Sequence, residues 1–167
     1  MKFLSLFVIF NFLFLNSVLS KELNGFPKII DGDTIYINSS KIRLEGIDAP
    51  EIKQKCKKYY LNINYIISLN FEREYFCGVK AKNVLKKKIG NIQVKCISLS
   101  KDRYKRYLAT CFAGKINLNK WMVKSGHAVA YRRYSKIYIE YEDFAKENTL
   151  GIWAGSFMMP EKWRKLN

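Results

Sequence analysis

Five carboxylates, Asp31, Asp33, Glu45, Asp48 and Glu51, stand within one stretch, DGDTIYINSSKIRLEGIDAPE (31–51). The chain holds only fourteen Asp and Glu against thirty Lys and Arg, so this window is an exception to its own composition. Carboxylates gathered in water repel one another unless a cation holds them, and oxygen donors of this kind select Ca²⁺ or Mg²⁺. Arg43 stands among them, and Arg106 ends a second basic stretch, KDRYKR (101–106). A guanidinium beside a carboxylate-held cation suits a phosphodiester. Its fork binds phosphate oxygens in pairs and holds the charge that grows in the transition state. A bound cation polarises the phosphoryl oxygen or lowers the pKa of a water, which Glu51 would orient or deprotonate. Taken singly, DGD is a common turn, Arg43 has Glu45 for a partner, and KDRYKR is a charged hairpin tip. The joint arrangement is what points to chemistry, although its spacing is not that of an EF-hand loop.

For these groups to meet, two strands must bring them together. An antiparallel pair over 33–38 and 41–47 carries Asp33 and Asp48 to one end of a sheet, with Glu51 just past the stiff Pro50. Residues 57–76 alternate with a period of two, as an extra hairpin or a strand-like excursion, and carry no functional reading of their own. GVKAKNVLKKKIG (78–90) predicts a helix with Ala81, Val84 and Leu85 inward and its lysines outward. NIQVKCISLS and RYLATCFAG predict two strands joined through KDRYKR. Asn117 is placed to cap a helix carrying Leu118, Trp121 and Met122 on one face and stopping at Gly126. A last helix is expected over 136–150, with Ile137, Tyr141, Phe144 and Ala145 on one side. Strands, helix, strands, helices is the order of a mainly β, α+β domain: a small closed barrel with helices packed on it.

Residues 1–20 stand apart from this domain. Lys2, the apolar run FLSLFVIFNFLFL, and Val18 and Ser20 before Lys21 match a secretory signal cut after Ser20. Residues 21–167 are then one exported domain, periplasmic or extracellular, expected to be a monomer with no stable membrane association. The formal net charge of +16 falls to +15 without Lys2, an excess that suits a polyanion such as nucleic acid. Four cysteines and a single histidine argue against zinc. In an exported chain the even count favours two disulfides. Cys96 and Cys111 are equidistant from the centre of KDRYKR, so a hairpin sets them opposite each other and leaves Cys56 for Cys77.

Four stretches, IIDGDTIYI, IRLEGIDAPE, DRYKRYLA and AYRRYS, resemble in order the successive signatures of the thermonuclease, or staphylococcal nuclease-like, family. The similarity covers most of residues 26–155. It implies a five-stranded OB-fold β-barrel with three helices. It also implies a Ca²⁺-dependent phosphodiesterase that cuts DNA and RNA with little sequence preference and leaves 3′-phosphate ends. By position, Asp33 and Asp48 match the calcium carboxylates, with the backbone carbonyl of Ala49 beside them. Glu51 matches the proposed general base, Arg43 and Arg106 the phosphate-binding arginines, and Tyr104 and Tyr131 aromatic residues lining the nucleotide site, where stacking tolerates any base. Asp31 would support the cation site from behind. Three departures accompany the match: Lys105 replaces the usual glycine, residues 57–76 are long, and either Arg133 or Tyr134 takes the second aromatic place. A rival from another class is a non-catalytic OB-fold module that binds single-stranded nucleic acid. The presence of Asp33, Arg43, Asp48, Glu51 and Arg106 together favours catalysis. His127, in SGHAVAY, reads as a surface or packing residue, and the aromatic and methionine residues of the tail as cover for the barrel.

Overall fold

The structure is a computed structural model describing residues 20–64 and 67–167, with side chains described outside 60–71. The expected signal segment, apart from Ser20, therefore lies outside the described residues. The strands are β1 (Lys21–Gly25), β2 (Lys28–Ile29), β3 (Thr34–Ile37), β4 (Ser40–Leu44), β5 (Ile47–Asp48), β6 (Lys55–Asn64), β7 (Ile67–Phe76), β8 (Val94–Lys101), β9 (Tyr107–Ala113), β10 (Ile116–Asn117) and β11 (Val129–Ala130). The helices are α1 (Cys77–Ile89), α2 (Leu118–Lys124), α3 (Ile139–Glu147) and α4 (Pro160–Leu166), with a short 3₁₀ turn over Gly151–Ala154.

One curled sheet runs in the order β1-β8-β9-β4-β3-β2, with β10 on the flank of β9. β3 and β4 pair antiparallel, whereas β4 and β9 run parallel. The α+β class and the OB-like sheet are as expected. The five strands and three helices become a six-strand path with two added ribbons, β6–β7 and β5–β11, and a fourth helix. The alternation seen in 57–76 belongs to the β6–β7 hairpin, paired from Lys55↔Phe76 to Asn64↔Ile67. No helix among the described residues is long and apolar enough to cross a membrane.

The core follows from strand alternation. Ile35, Ile37, Ile42 and Leu44 point inward from β3 and β4, where they meet Ala81 and Leu85 of α1 and Leu118 and Met122 of α2. Asn117 caps α2 as its sequence suggests, its side-chain oxygen accepting from the Lys120 N–H at 2.9 Å. The third helix departs from expectation. It starts at Ile139, Ile137 lies before it exposed, Phe144 is also exposed, and the buried face carries Glu142 and Ala145. Glu142 is buried because it has partners: it accepts from the Ala130 N–H at 3.1 Å and from the ammonium of Lys146 at 2.9 Å, and pairs with Arg132. A satisfied carboxylate outranks an apolar stripe here.

Both disulfides form as expected, Cys56–Cys77 and Cys96–Cys111, and no described cysteine is free. The second pairing depends on a bulge. Near the tip the register is Lys101↔Tyr107, which by itself would set Cys96 opposite Phe112. The extra residue between Ser98 and Ser100 shifts the register so that Cys96 meets Cys111. Closing a loop of this length stabilises the fold by about 3 kcal/mol.

Candidate active site

The DGD turn enters β3 under tight packing. A Cβ on Gly32 would sit 2.6 Å from the Ala49 Cβ and 2.8 Å from the Ala81 Cβ, so only glycine lets this turn lie against the 48–51 loop. On the other side Gly46, at φ +76°, ends β4 and turns the chain into β5. β5 then leaves the main sheet to pair with β11, Asp48 opposite Val129, which brings Tyr131 beside the acids. Asn119, fully buried, fixes this corner. Its Nδ2 donates to the carbonyls of Glu45 at 2.9 Å and Ala109 at 3.0 Å, and its Oδ1 accepts from the Cys111 N–H at 3.0 Å.

Asp33 and Asp48 thus arrive together at the end of the sheet, 3% and 1% exposed. Arg43, opposite Thr34 in the β3–β4 register, lies between them. It pairs with Asp33, donates to Asp48 Oδ1 at 2.9 Å, and reaches the Ile47 carbonyl at 3.3 Å. Asp33 also accepts from the Ala49 N–H at 2.8 Å and the Thr34 hydroxyl at 3.0 Å. Asp31 stands behind, its Oδ1 accepting from the Asp33 N–H at 2.9 Å. Burial and the neighbouring Asp33 charge push the Asp31 carboxyl up to about 7. Burial likewise raises Asp48, a shift that hydrogen bonding to Arg164 opposes.

Arg164 was missed in the sequence. It comes from α4 and binds Asp48 with both terminal nitrogens, at 2.9 Å to Oδ1 and 3.0 Å to Oδ2, and donates to Glu51 Oε1 at 2.9 Å. Burial works against its charge, yet the bonds to Asp48 and Glu51 hold its pKa above the usual guanidinium range. Gln54, fully buried, is the second omission: its Oε1 accepts from the Glu51 N–H at 3.2 Å and its Nε2 donates to the Met158 carbonyl at 2.6 Å. It thereby ties the Glu51 loop to the segment leading into α4.

Arg106 and Tyr104 form a second group at the β8–β9 tip. The Asp102 carboxylate accepts from the backbone N–H of Tyr104 at 2.9 Å and of Arg106 at 3.0 Å, and from Arg106 Nε at 2.7 Å. Burial raises the Asp102 pKa, but the bonds from Arg106 outweigh it and hold the carboxyl below its ordinary value. Asp102 is a third residue the sequence reading passed over; the signal for it is an acid in second place of KDRYKR, a residue type that organises turns through its own side chain. Lys105 adopts φ +62°, so the lysine takes the left-handed conformation a glycine would supply, and the turn presenting Arg106 is kept. The parallel pair Ile42↔Tyr107 sets Arg106 just beyond the strand neighbouring Arg43. The Arg106 guanidinium lies 5.5 Å from the Tyr104 ring centre, and the Arg43 guanidinium 6.0 Å from that of Tyr131. Tyr134 packs edge-on against Tyr131 at 4.7 Å, and Arg133 lies over the Tyr134 ring.

Among the described residues no three His, Cys, Asp or Glu side chains gather to hold a metal. Asp33 and Asp48 are two nearly buried carboxylates close enough for one guanidinium to join them, and Ala49 follows with a backbone carbonyl. Two carboxylates, a carbonyl and water are a set that hard cations accept.

His127 lies away from this cluster, in a cavity lined also by Lys80, Leu150 and Gly151. Burial, with the Lys80 charge, lowers its pKa to about 4, so it is neutral in the fold. Between about 6.5 and 4 the unfolded chain binds the extra proton, and stability falls as pH drops through that window, by at most roughly 3 kcal/mol. In urea unfolding, His127→Leu should lose less stability than the wild type between pH 6.5 and 4; parallel curves would contradict this.

A curled OB-like sheet with two buried acids at one end, joined by Arg43, defines a class of domain. Residues 41–155 match the family described as Staphylococcal nuclease homologue, and the chain belongs to that family. An uncharacterised endonuclease of Haemophilus influenzae is 34% identical over 171 residues, covering 96% of this chain and 83% of that one. An uncharacterised protein of Methanocaldococcus jannaschii is 34% identical across 75% of this chain and 69% of its own length. The succinoglycan biosynthesis protein ExoI of Rhizobium meliloti is 33% identical across 80% of this chain and 66% of its own.

Proposed function

We propose that this protein is an exported, monomeric, Ca²⁺-dependent nuclease that hydrolyses phosphodiester bonds of DNA and RNA with little sequence preference and leaves 3′-phosphate ends. The observation that carries the reading is the pair of buried carboxylates, Asp33 and Asp48, joined by Arg43 with Glu51 beside them. Family membership and the endonuclease name of the Haemophilus influenzae relative support the reaction class. The signal-like residues 1–20 and the two disulfides support export.

Asp33, Asp48 and the Ala49 carbonyl would hold the cation. When bound, Ca²⁺ supplies a Lewis acid for a phosphoryl oxygen and lowers the pKa of a water. The chain's own groups do the rest. Glu51, one-third exposed at the rim, orients the attacking water and takes its proton. Arg106, aimed by Asp102, presents its fork to the phosphate and stabilises the charge spreading over its oxygens. Arg43 keeps the two acids together and contributes positive field at the same place. Tyr104, Tyr131 and Tyr134 offer ring faces to bases without reading them.

Release of acid-soluble nucleotides from DNA by the purified protein, with Ca²⁺ and with excess chelator, tests the reading. Activity is expected with Ca²⁺ and its loss with chelator. A folded protein that binds DNA but cuts nothing in either condition would make it a binding module instead.

A further inference from the structure

Arg164 takes up acceptor capacity that the proposed cation needs. Both oxygens of Asp48 and Oε1 of Glu51 accept from its two terminal nitrogens, at 2.9–3.0 Å. A divalent ion bound to Asp48 at about 2.4 Å would lie against a guanidinium of the same sign. The two cations compete for one carboxylate.

The helix that carries Arg164 is built to leave. α4 is seven residues long, and Pro160 is its only buried residue. Trp163 is half-buried and Leu166 exposed. Besides Arg164, the described polar ties of this segment to the body include the paired backbone hydrogen bonds of Ser156 with Lys57 at 2.8 and 3.1 Å, the Gln54–Met158 hydrogen bond and the Arg133–Glu161 pair, the latter at 3.3 Å and partly exposed. Gln54 anchors the base of the segment beside the Glu51 loop, so a released α4 would swing from a fixed point. A short helix with little buried apolar surface opens at low cost.

We propose that α4 is a cation-displaced latch: Arg164 serves as an internal counter-cation for Asp48 and Glu51, and binding of the divalent ion expels it, uncovering Glu51. The proposal rests on the cation reading of the site. A nuclease of this kind would be closed where Ca²⁺ is scarce and opened by the ion it requires.

Calorimetric titration of Ca²⁺ into the wild-type protein and Arg164→Ala separates the possibilities without an activity assay. The variant should bind Ca²⁺ about tenfold more tightly, because a competing charge-assisted hydrogen-bond pair is gone. In the wild type, Ca²⁺ should also speed hydrogen exchange of the Trp163 and Arg164 amides while leaving the β8–β9 amides protected. Equal or weaker Ca²⁺ binding by Arg164→Ala, or slower exchange in α4 with Ca²⁺, would overturn the latch and leave the cation site standing. No Ca²⁺ binding by either protein would overturn both.

Discussion

Arg106→Ala should lower the turnover of DNA cleavage by about 10³-fold while the protein unfolds within a few degrees of the wild type. The expected split follows from what Arg106 touches. Its side chain lies at the β8–β9 tip, 20% exposed, and its polar partner there is Asp102. Truncation does not strand that carboxylate, because Asp102 keeps the backbone N–H groups of Tyr104 and of residue 106. The core of Ile42, Leu44 and Ala109 is untouched. What disappears is the guanidinium that Asp102 holds through Nε and Nη2, next to the strand that carries Arg43. Arg106→Lys should recover part of the rate, since it restores charge without the fork. A fully active Arg106→Ala protein would remove Arg106 from the proposed mechanism.

The parts of the site legible in the sequence are those that short-range pairing creates. Asp33, Arg43 and Asp48 lie within sixteen residues, and a β3–β4 hairpin is enough to bring them to one end. The same holds for Cys96 and Cys111, although there the symmetry survived through a compensating bulge rather than an undisturbed ladder. Arg164 was not legible because its contact with Asp48 spans 116 positions and depends on where α4 lands. Within EKWRKL it is one cation among several, and no local rule distinguishes a cation that plugs a site from one that faces water. Pro160 stands in the first turn of α4, where proline suits a helix start, but it says nothing of where that helix docks. Glu142 hid for the opposite reason: an acid in an amphipathic helix is assigned to solvent unless its partners, here Ala130, Arg132 and Lys146, are known in space.

Arg43→Ala should behave differently from Arg106→Ala, losing stability as well as activity. Asp33 and Asp48 are nearly buried, and Arg43 is the cation shared between them. Asp48 would retain Arg164, but Asp33 would keep only the neutral donors Ala49 and Thr34. Removing one partner of a buried ion pair costs about 3–5 kcal/mol, because the remaining charge is neither solvated nor paired. For a chain of this size that lowers the unfolding midpoint by about 10 °C. Arg43→Lys should fall between, since one ammonium cannot serve two carboxylates and the Ile47 carbonyl in the same geometry. Ca²⁺ adds a second readout. A divalent ion held by the same acids supplies the missing charge, so saturating Ca²⁺ should return more stability to Arg43→Ala than it gives the wild type. Thermal unfolding of both proteins, with Ca²⁺ and with chelator, measures all four midpoints. An unchanged midpoint in Arg43→Ala would mean that the two acids are neutralised by protons instead of by Arg43. A loss that Ca²⁺ fails to offset would mean that the ion is not held by Asp33 and Asp48.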